Sequence, residues 1–354
     1  MIEINKAEVK KVLALNYDKT EVLLDIDHPV KKAINYNHMT GEISTGDIVY
    51  LNTTAASLSL GTGGFHFVIA NISHDNINYL PKGHGMKLRY TPMQVQIPFV
   101  EEEGKNRKIY NKPLILNNKQ LIFAELHSML PPICAYLKKF SSRKTTISYI
   151  MTDHAALPLS FSKNIQSLRT KKLLDITLTT GNAFGGDYEC VNFYTALQTA
   201  SSISDIIVIA MGPGITGTGT KYGFSGLELA FYMNLASKHG GGCVFIPRVS
   251  FADQRIRHYG ISHHSLTIIS EMLTHPVFIA LPHANNKKLD FMIKQLKAAK
   301  ALYKTRLSIY KGDAIKSALE SYCINTTTMG RGFVDDPYFF YTIGASCKKT
   351  LSML

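Results

Sequence analysis

From Leu121 onward the chain alternates short apolar runs with stretches of helical periodicity, and this alternation limits the fold more than any other feature. The runs are Leu121-Ile-Phe-Ala, Thr145 to Met151, Leu174 to Thr179, Ile206 to Ala210, Cys243 to Pro247, Val277 to Leu281 and Arg306 to Tyr310. Each is too short for a globular helix and the right length for a strand buried on both faces. Between and after them, helical segments are expected at Met129–Phe140, Leu157–Lys172, Val191–Ala200, after Gly226 to about Lys238, Ser262–Leu273, Lys287–Leu302, Asp313–Ser321 and from about Asp336 to the end. Pro131 and Pro132 fall in the first turn of the first helix, where a missing N–H costs little. Repeated βα units with right-handed crossovers predict an α/β domain: a Rossmann-like, mostly parallel sheet with helices on both faces.

The first 72 residues read differently. Runs such as Glu21-Val-Leu-Leu-Asp-Ile and Asp47-Ile-Val-Tyr-Leu-Asn are separated by turn chemistry at Asn16-Tyr-Asp18, Asp27-His-Pro29, Met39-Thr-Gly41 and Ser44-Thr-Gly46. That spacing predicts a small N-terminal antiparallel β-barrel over residues 1–72. Residues 73–118 carry Lys82-Gly-His-Gly85 and an acidic-then-basic run from Glu101 to Lys112, and are expected to be an irregular connector. Residues 119–354 are expected to form the α/β domain and to carry the functional site.

Composition narrows the setting. No stretch of 18 apolar residues occurs, so no transmembrane helix and no membrane partner is expected. Met1-Ile-Glu-Ile-Asn-Lys lacks the basic flank and apolar run of a signal peptide. Five widely spaced cysteines make neither a disulfide framework nor a C-x-x-C metal site. A reducing, cytoplasmic location fits them. The net charge of +13 resides almost wholly beyond residue 115, where 26 Lys/Arg face 14 Asp/Glu, against 13 and 12 before it. Lysine on solvated helix faces accounts for part of this, and a field that attracts anions is the sharper reading. Nucleic acid is a weaker candidate, because the barrel is nearly neutral and has no aromatic-rich RNA-binding run. Oligomerisation is compatible with the sequence.

In an open parallel sheet, ligands bind beyond the carboxyl ends of the strands. The segments that follow the expected strands are Glu125-Leu-His-Ser128, Thr152-Asp-His-Ala-Ala156, Thr180-Gly-Asn-Ala-Phe-Gly-Gly-Asp187, Met211 to Gly226, Arg248 to Ser265 and His283-Ala-Asn-Asn286. They hold nearly all the histidine, glycine and arginine chemistry of this half. Gly212, Gly214 and Gly217 form a G-x-G-x-x-G, with Thr218, Thr220 and Lys221 close behind. Such a loop presents N–H groups to an anion, and the helix that follows adds its positive end. A dinucleotide fingerprint belongs after the first strand, with an acid about 20 residues on. Here the loop follows the fourth strand and the next strand leads to Arg248, so NAD(P) stays a secondary candidate and the cofactor is left open. A structural turn is the plain alternative.

Arg255 and Arg257 can fork to a phosphate or carboxylate, with Asp253 placed to orient one of them. Ser262 is a plausible helix cap, which puts His263 and His264 in a first turn where imidazolium is disfavoured and a neutral general acid or base is favoured. Asp153 and His154 offer a carboxylate and an imidazole directly after a strand. Arg331, in Thr326-Thr-Thr-Met-Gly-Arg-Gly332, can close over the same anion. No metal is assigned from spacing; His127, Asp153, His154 and Asp187 are the best ligands if one binds.

Several of these motifs occur together. Leu51-Asn-Thr-Thr-Ala with Leu60-Gly-Thr-Gly-Gly64, Lys87-Leu-Arg-Tyr-Thr-Pro92, Thr152-Asp-His-Ala-Ala-Leu-Pro158, Ala183-Phe-Gly-Gly-Asp187, Gly212-Pro-Gly with Gly217-Thr-Gly-Thr220, Arg257-His-Tyr-Gly-Ile-Ser-His-His264 and Thr328-Met-Gly-Arg-Gly332 resemble the bacterial domain-of-unknown-function family 3866. The resemblance spans nearly the whole chain. It implies a bacterial, cytoplasmic protein and carries no activity. The residues themselves lead to a protein that binds a small anionic, phosphate-bearing or nucleotide-like molecule at the carboxyl edge of the sheet. Group transfer and oxidoreduction are both open, a non-catalytic ligand-binding or regulatory role is the first alternative, and nucleic-acid binding is the second.

Overall fold

Strand Ile4–Leu15 (β1) is long enough to pair on both sides, and this closes a barrel. Its second half pairs with Lys19–Asp25 (β2) and its first half with Ile48–Asn52 (β4). Lys32–Tyr36 (β3) and His66–Asn71 (β5) complete the order β1-β2-β3-β5-β4. The barrel is not wholly antiparallel as expected, because β3 and β5 run parallel. A closed ring of five strands cannot alternate direction all the way round, so one such pair is required. Alternate residues point inward, and Ala7, Val9, Val22, Leu24, Val49, Leu51 and Val68 fill the core.

The computed structural model describes residues 1–16, 18–61, 63–74, 83–102, 107–283 and 286–354. Of the segments named above, Tyr17, Thr62, Lys82, Ala284 and Asn285, and positions 103–106 of the Glu101–Lys112 run, lie outside the described residues. The chain divides into two units, Met1–Pro98 and Phe99–Leu354. The stretch expected as a connector is divided between them. A hairpin of Gly85–Lys87 (β6) and Val95–Ile97 (β7) lies in the first unit, and residues from 99 lie in the second.

The second unit holds an eight-stranded sheet. Its strands are Gln120–Ala124 (β8), Ile147–Thr152 (β9), Ile176–Thr179 (β10), Tyr188–Glu189 (β11), Ile206–Met211 (β12), Gly242–Ile246 (β13), then, after a two-stranded hairpin of Val249–Ser250 (β14) and Gly260–Ile261 (β15), Val277–Pro282 (β16) and Thr305–Tyr310 (β17). The order is β11-β10-β9-β12-β8-β13-β16-β17, and every pair is parallel. The side-chain period of two sends Leu121, Phe123, Ile207 and Ile209 to one face and Ile122, Ala124, Val208 and Ala210 to the other. Helices Phe193–Ile203, Glu228–Lys238 and Asn286–Ala298 cover the first face; Leu130–Phe140, Lys163–Thr170, Ala314–Ser321 and Pro337–Leu351 cover the second.

Three local expectations change. The helix expected over Leu157–Lys172 spans only Lys163–Thr170, because Ser162 caps it, its side chain accepting a hydrogen bond from the Ile165 amide. Ser262–Leu273 divides into His263–Thr267 and a wider π-helical turn, Ile268–Met272. β11, β14 and β15 were not expected; at two residues each they carry no periodicity to read. Among the described residues, no helix is long and apolar enough to cross a membrane.

The chain leaves β8 toward β9 and β10, returns at β12, and then builds β13, β16 and β17 on the far side. The helix after β8 covers one face and the helix after β12 covers the other. The carboxyl ends of these neighbouring strands therefore open into a crevice, the topological switch point of a doubly wound sheet.

Candidate functional site

Because every strand of the sheet is parallel, the segments after β8, β9, β12 and β13 leave at one edge. Met211 lies beside Thr152 and Ala124 beside Ile246 in the sheet register. Gly212, Asp153 and Glu125 are thus the first residues beyond neighbouring strand ends. A cavity of about 210 Å³ opens there, lined by Glu125, His127 and Ser128 after β8, Gly212 and Gly214 after β12, and Thr328 from the C-terminal part of the chain.

Each wall has a local cause. The turn His127–Met129 runs directly into helix Leu130–Phe140, so the N-terminal end of that helix faces the cavity. On the opposite wall, Gly214 has φ +106°, with open space where a Cβ would stand. Gly212 is packed tightly: a Cβ there would lie 2.5 Å from the Ala156 carbonyl oxygen. The Ala156 amide donates to the Pro213 carbonyl at 3.0 Å, which ties the loops after β9 and β12 together.

Glu125 is fully buried. Its Oε2 accepts hydrogen bonds from the Ser265 hydroxyl and, at 3.3 Å, from the Arg248 amide. Its Oε1 has no hydrogen-bond partner among the described residues. Burial pushes this carboxyl above its usual range, with Ser265 and Arg248 opposing. His127 is held by the Tyr149 hydroxyl at 3.2 Å and the Ser162 hydroxyl at 2.6 Å. Tyr149 donates to the carbonyls of Ala210 and Met211, so its oxygen accepts from Nδ1–H of His127, and Nε2 accepts from Ser162. Burial holds His127 down to about 4.

The rest of the glycine loop folds on itself. The Thr218 amide donates to the Gly223 carbonyl at 2.8 Å and the Ser225 amide to the Thr216 carbonyl at 2.9 Å, which makes a small hairpin. The Thr218 and Thr220 hydroxyls lie 2.9 Å apart inside its turn, and Thr218 Oγ1 bonds the Gly223 carbonyl at 3.0 Å. Lys221 is exposed and paired with Glu271 at 2.5 Å. Gly217 comes close to the His264 ring. The helix that the fingerprint requires begins only at Glu228, whose own buried carboxyl occupies the first turn. A carboxylate therefore stands at the helix end that the fingerprint would offer to an anion.

Around Glu228, Thr152 donates its hydroxyl to Oε1. Oε2 faces Nε2 of His154 at 3.6 Å. Asp153 stands beside them and accepts the Asn182 amide on Oδ2 at 2.9 Å. One ligand atom from each of Asp153, His154 and Glu228 lies within 4.8 Å of the others. His127 is engaged as described, and Asp187 is bound to Arg169 and to the Thr177 amide and hydroxyl, so neither joins this group.

The third cluster sits on the β14–β15 hairpin. Asp253 is buried beneath Arg248 at 2.8 Å, Arg255 at 2.9 Å and Arg331 at 3.4 Å. Hydrogen bonds from Arg255 are the largest of several effects that hold its carboxyl well below the usual range. Arg255 and Arg331 are thus committed to this carboxylate, and Arg331 also reaches Asp336 at 3.3 Å. Arg257 is exposed, makes no ion pair among the described residues, and lies near Gly219. Ser262 caps the next helix, its hydroxyl accepting from the His264 amide at 3.3 Å. His258, His263 and His264 pack together, with ring centroids 4.1–5.3 Å apart. Burial first, then the neighbouring arginines and histidines, hold His258 down to about 3 and His264 to about 4, and lower His263. Nε2 of His263 is buried without a hydrogen-bond partner among the described residues.

Of the residues expected from sequence, Gly212 and Gly214 line the cavity, Asp153 and His154 meet at Glu228, and Arg255, Arg331, His263 and His264 gather on the hairpin side. Thr218 and Thr220 turn toward their own loop, and Lys221 is exposed and pairs with Glu271. Sequence reasoning did not single out Glu125, Ser128, His258 or Glu228. The turn after the first α/β strand was a signal for the first two. Nothing local marks Glu228, which stands at the start of a mostly apolar helix.

Fold and crevice together define a doubly wound, all-parallel α/β protein with a small cavity at its switch point. Residues 32–347 match the DUF3866 family, described as protein of unknown function, and the chain belongs to that family. No curated protein matches the chain.

Proposed function

We propose that the protein binds a small anionic ligand in the crevice between β8 and β12, the phosphate-bearing end of a metabolite or nucleotide-like molecule, in a bacterial cytoplasm. One observation carries this reading: the N-terminal end of the helix after β8 and the open Gly214 backbone face a single cavity. A glycine-rich turn directs N–H groups at anions, and the helix adds the positive end of its dipole, its first-turn Pro131 and Pro132 carrying no N–H. Burial pushes the Glu125 carboxyl up, which disfavours the anionic form that would repel such a ligand. At about 210 Å³ the cavity suits a phosphate or carboxylate end group, since pockets for whole drug-sized ligands begin at roughly 300 Å³.

Turnover at this edge is the second reading. The observation that favours it is the group of imidazoles held neutral beside Arg257, in the protonation state a general base requires.

The test is calorimetric titration with inorganic phosphate, sugar phosphates and mononucleotides. Submillimolar binding of at least one, weakened tenfold or more in Gly214→Val, supports the reading. Absence of binding at millimolar concentration, or full binding by Gly214→Val, overturns it. Turnover is tested separately, by loss of product formation with retained binding in His263→Ala and His264→Ala.

A further inference from the structure

We propose that Asp153, His154 and Glu228 form a binding site for one divalent transition-metal ion such as Mn²⁺ or Zn²⁺. Three donors from two separate segments converge, one ligand atom of each lying within 4.8 Å of the others. The His154 Nε2 to Glu228 Oε2 separation is 3.6 Å. Two ligands each about 2.1 Å from one ion in tetrahedral array stand about 3.4 Å apart. An ion therefore fits between these atoms with only small adjustments.

The second observation is independent of that spacing. The Glu228 side chain is 3% exposed, and Oε2 makes no hydrogen bond of ordinary geometry among the described residues. The Tyr232 hydroxyl one turn on is within weak hydrogen-bonding reach of the carboxyl, and Thr152 satisfies Oε1; Oε2 keeps no partner of ordinary hydrogen-bond geometry among the described residues and faces the imidazole at 3.6 Å. Leaving a buried carboxylate oxygen unmatched is costly, and coordination to a cation removes the cost.

The supporting shell is built for the same atoms. The Asn182 amide fixes Asp153 Oδ2. Gly181, at φ +60°, makes room for that carboxylate, since a Cβ there would lie 2.0 Å from Oδ2. Thr152 orients Glu228, the pattern by which outer hydrogen bonds set ligand geometry. The mixed imidazole and carboxylate set selects Mn²⁺, Fe²⁺, Co²⁺ or Zn²⁺ over Mg²⁺ or Ca²⁺. His154 is 54% exposed, so the remaining coordination positions are open to water or to an incoming ligand oxygen. The proposal does not depend on the anion reading, and its test uses metal alone.

The experiment is equilibrium dialysis of chelator-treated full-length protein against Mn²⁺ and Zn²⁺, with Co²⁺ as an absorption probe. Expected are one ion per chain, affinity reduced at least tenfold in Glu228→Gln and in Asp153→Asn, and Co²⁺ bands altered in His154→Ala. Asp187→Asn, a carboxylate bound elsewhere, keeps full affinity. If Glu228→Gln does not fold, the exposed His154→Ala variant decides alone. Absence of stoichiometric binding at millimolar metal, or equal affinity in His154→Ala, overturns the proposal.

Discussion

The Phe224 ring lies flat against the His264 imidazole, with centroids 3.9 Å apart and planes 10° from parallel. This contact joins the base of the glycine-loop hairpin to the first turn of the helix after β15, two segments about 40 residues apart in the chain. It is a direct link between the glycine loop and the histidine cluster. A double-mutant cycle with Phe224→Ala and His264→Ala, read by urea unfolding, should give a coupling energy of about 0.5–1.5 kcal/mol. A coupling near zero would show that the stack is incidental.

The neutral histidines make stability depend on pH. His127, His258 and His264 are held near 4, 3 and 4, below the ordinary value of 6.5. The unfolded chain then binds more protons than the folded one between those values. Their contribution is complete above about pH 6.5 and is lost as pH falls through 4 and 3. Glu125, raised above 4.5, acts in the opposite sense as pH rises. The urea midpoint of the parent protein should fall more steeply between pH 6.5 and 4.5 than that of His258→Asn. Parallel curves would contradict the assignment.

Two glycines of the same loop should respond differently. A methyl group on Gly212 meets the Ala156 carbonyl oxygen at 2.5 Å, so Gly212→Ala should destabilise the protein by about 1–3 kcal/mol through overpacking. Gly214 has open space but a positive φ. Gly214→Val should cost about 1 kcal/mol or more in backbone strain and at least tenfold in phosphate affinity. Thermal unfolding and calorimetric titration of both variants separate the two effects.

Asp253 neutralises a buried guanidinium. The Arg248 side chain is only 5% exposed and pairs with Asp253 at 2.8 Å. Asp253→Asn should therefore cost about 3–5 kcal/mol, the penalty for stranding a buried charge. Arg255→Ala removes a half-exposed partner of the same carboxylate and should cost under about 1 kcal/mol. Equal losses in the two variants would mean that burial of Arg248 does not govern the cluster.

What the sequence determined was local. Short apolar runs alternating with period-3.6 patterns identified the βα units, hence a parallel sheet, and so the edge where Gly212, Asp153, Arg255 and His263 emerge. Ser262 was legible as a helix cap because its effect reaches only two residues. The tertiary structure alone decided which strand ends are neighbours. It placed β12 beside β8, so the cavity formed around Glu125 and Ser128 rather than around Thr218 and Lys221. It also buried Glu228 against Asp153 and His154, and it gave Asp253 three arginines. Periodicity records which face of a segment is apolar. The partner of a buried charge is set by packing between segments far apart in the chain, and no local pattern encodes that.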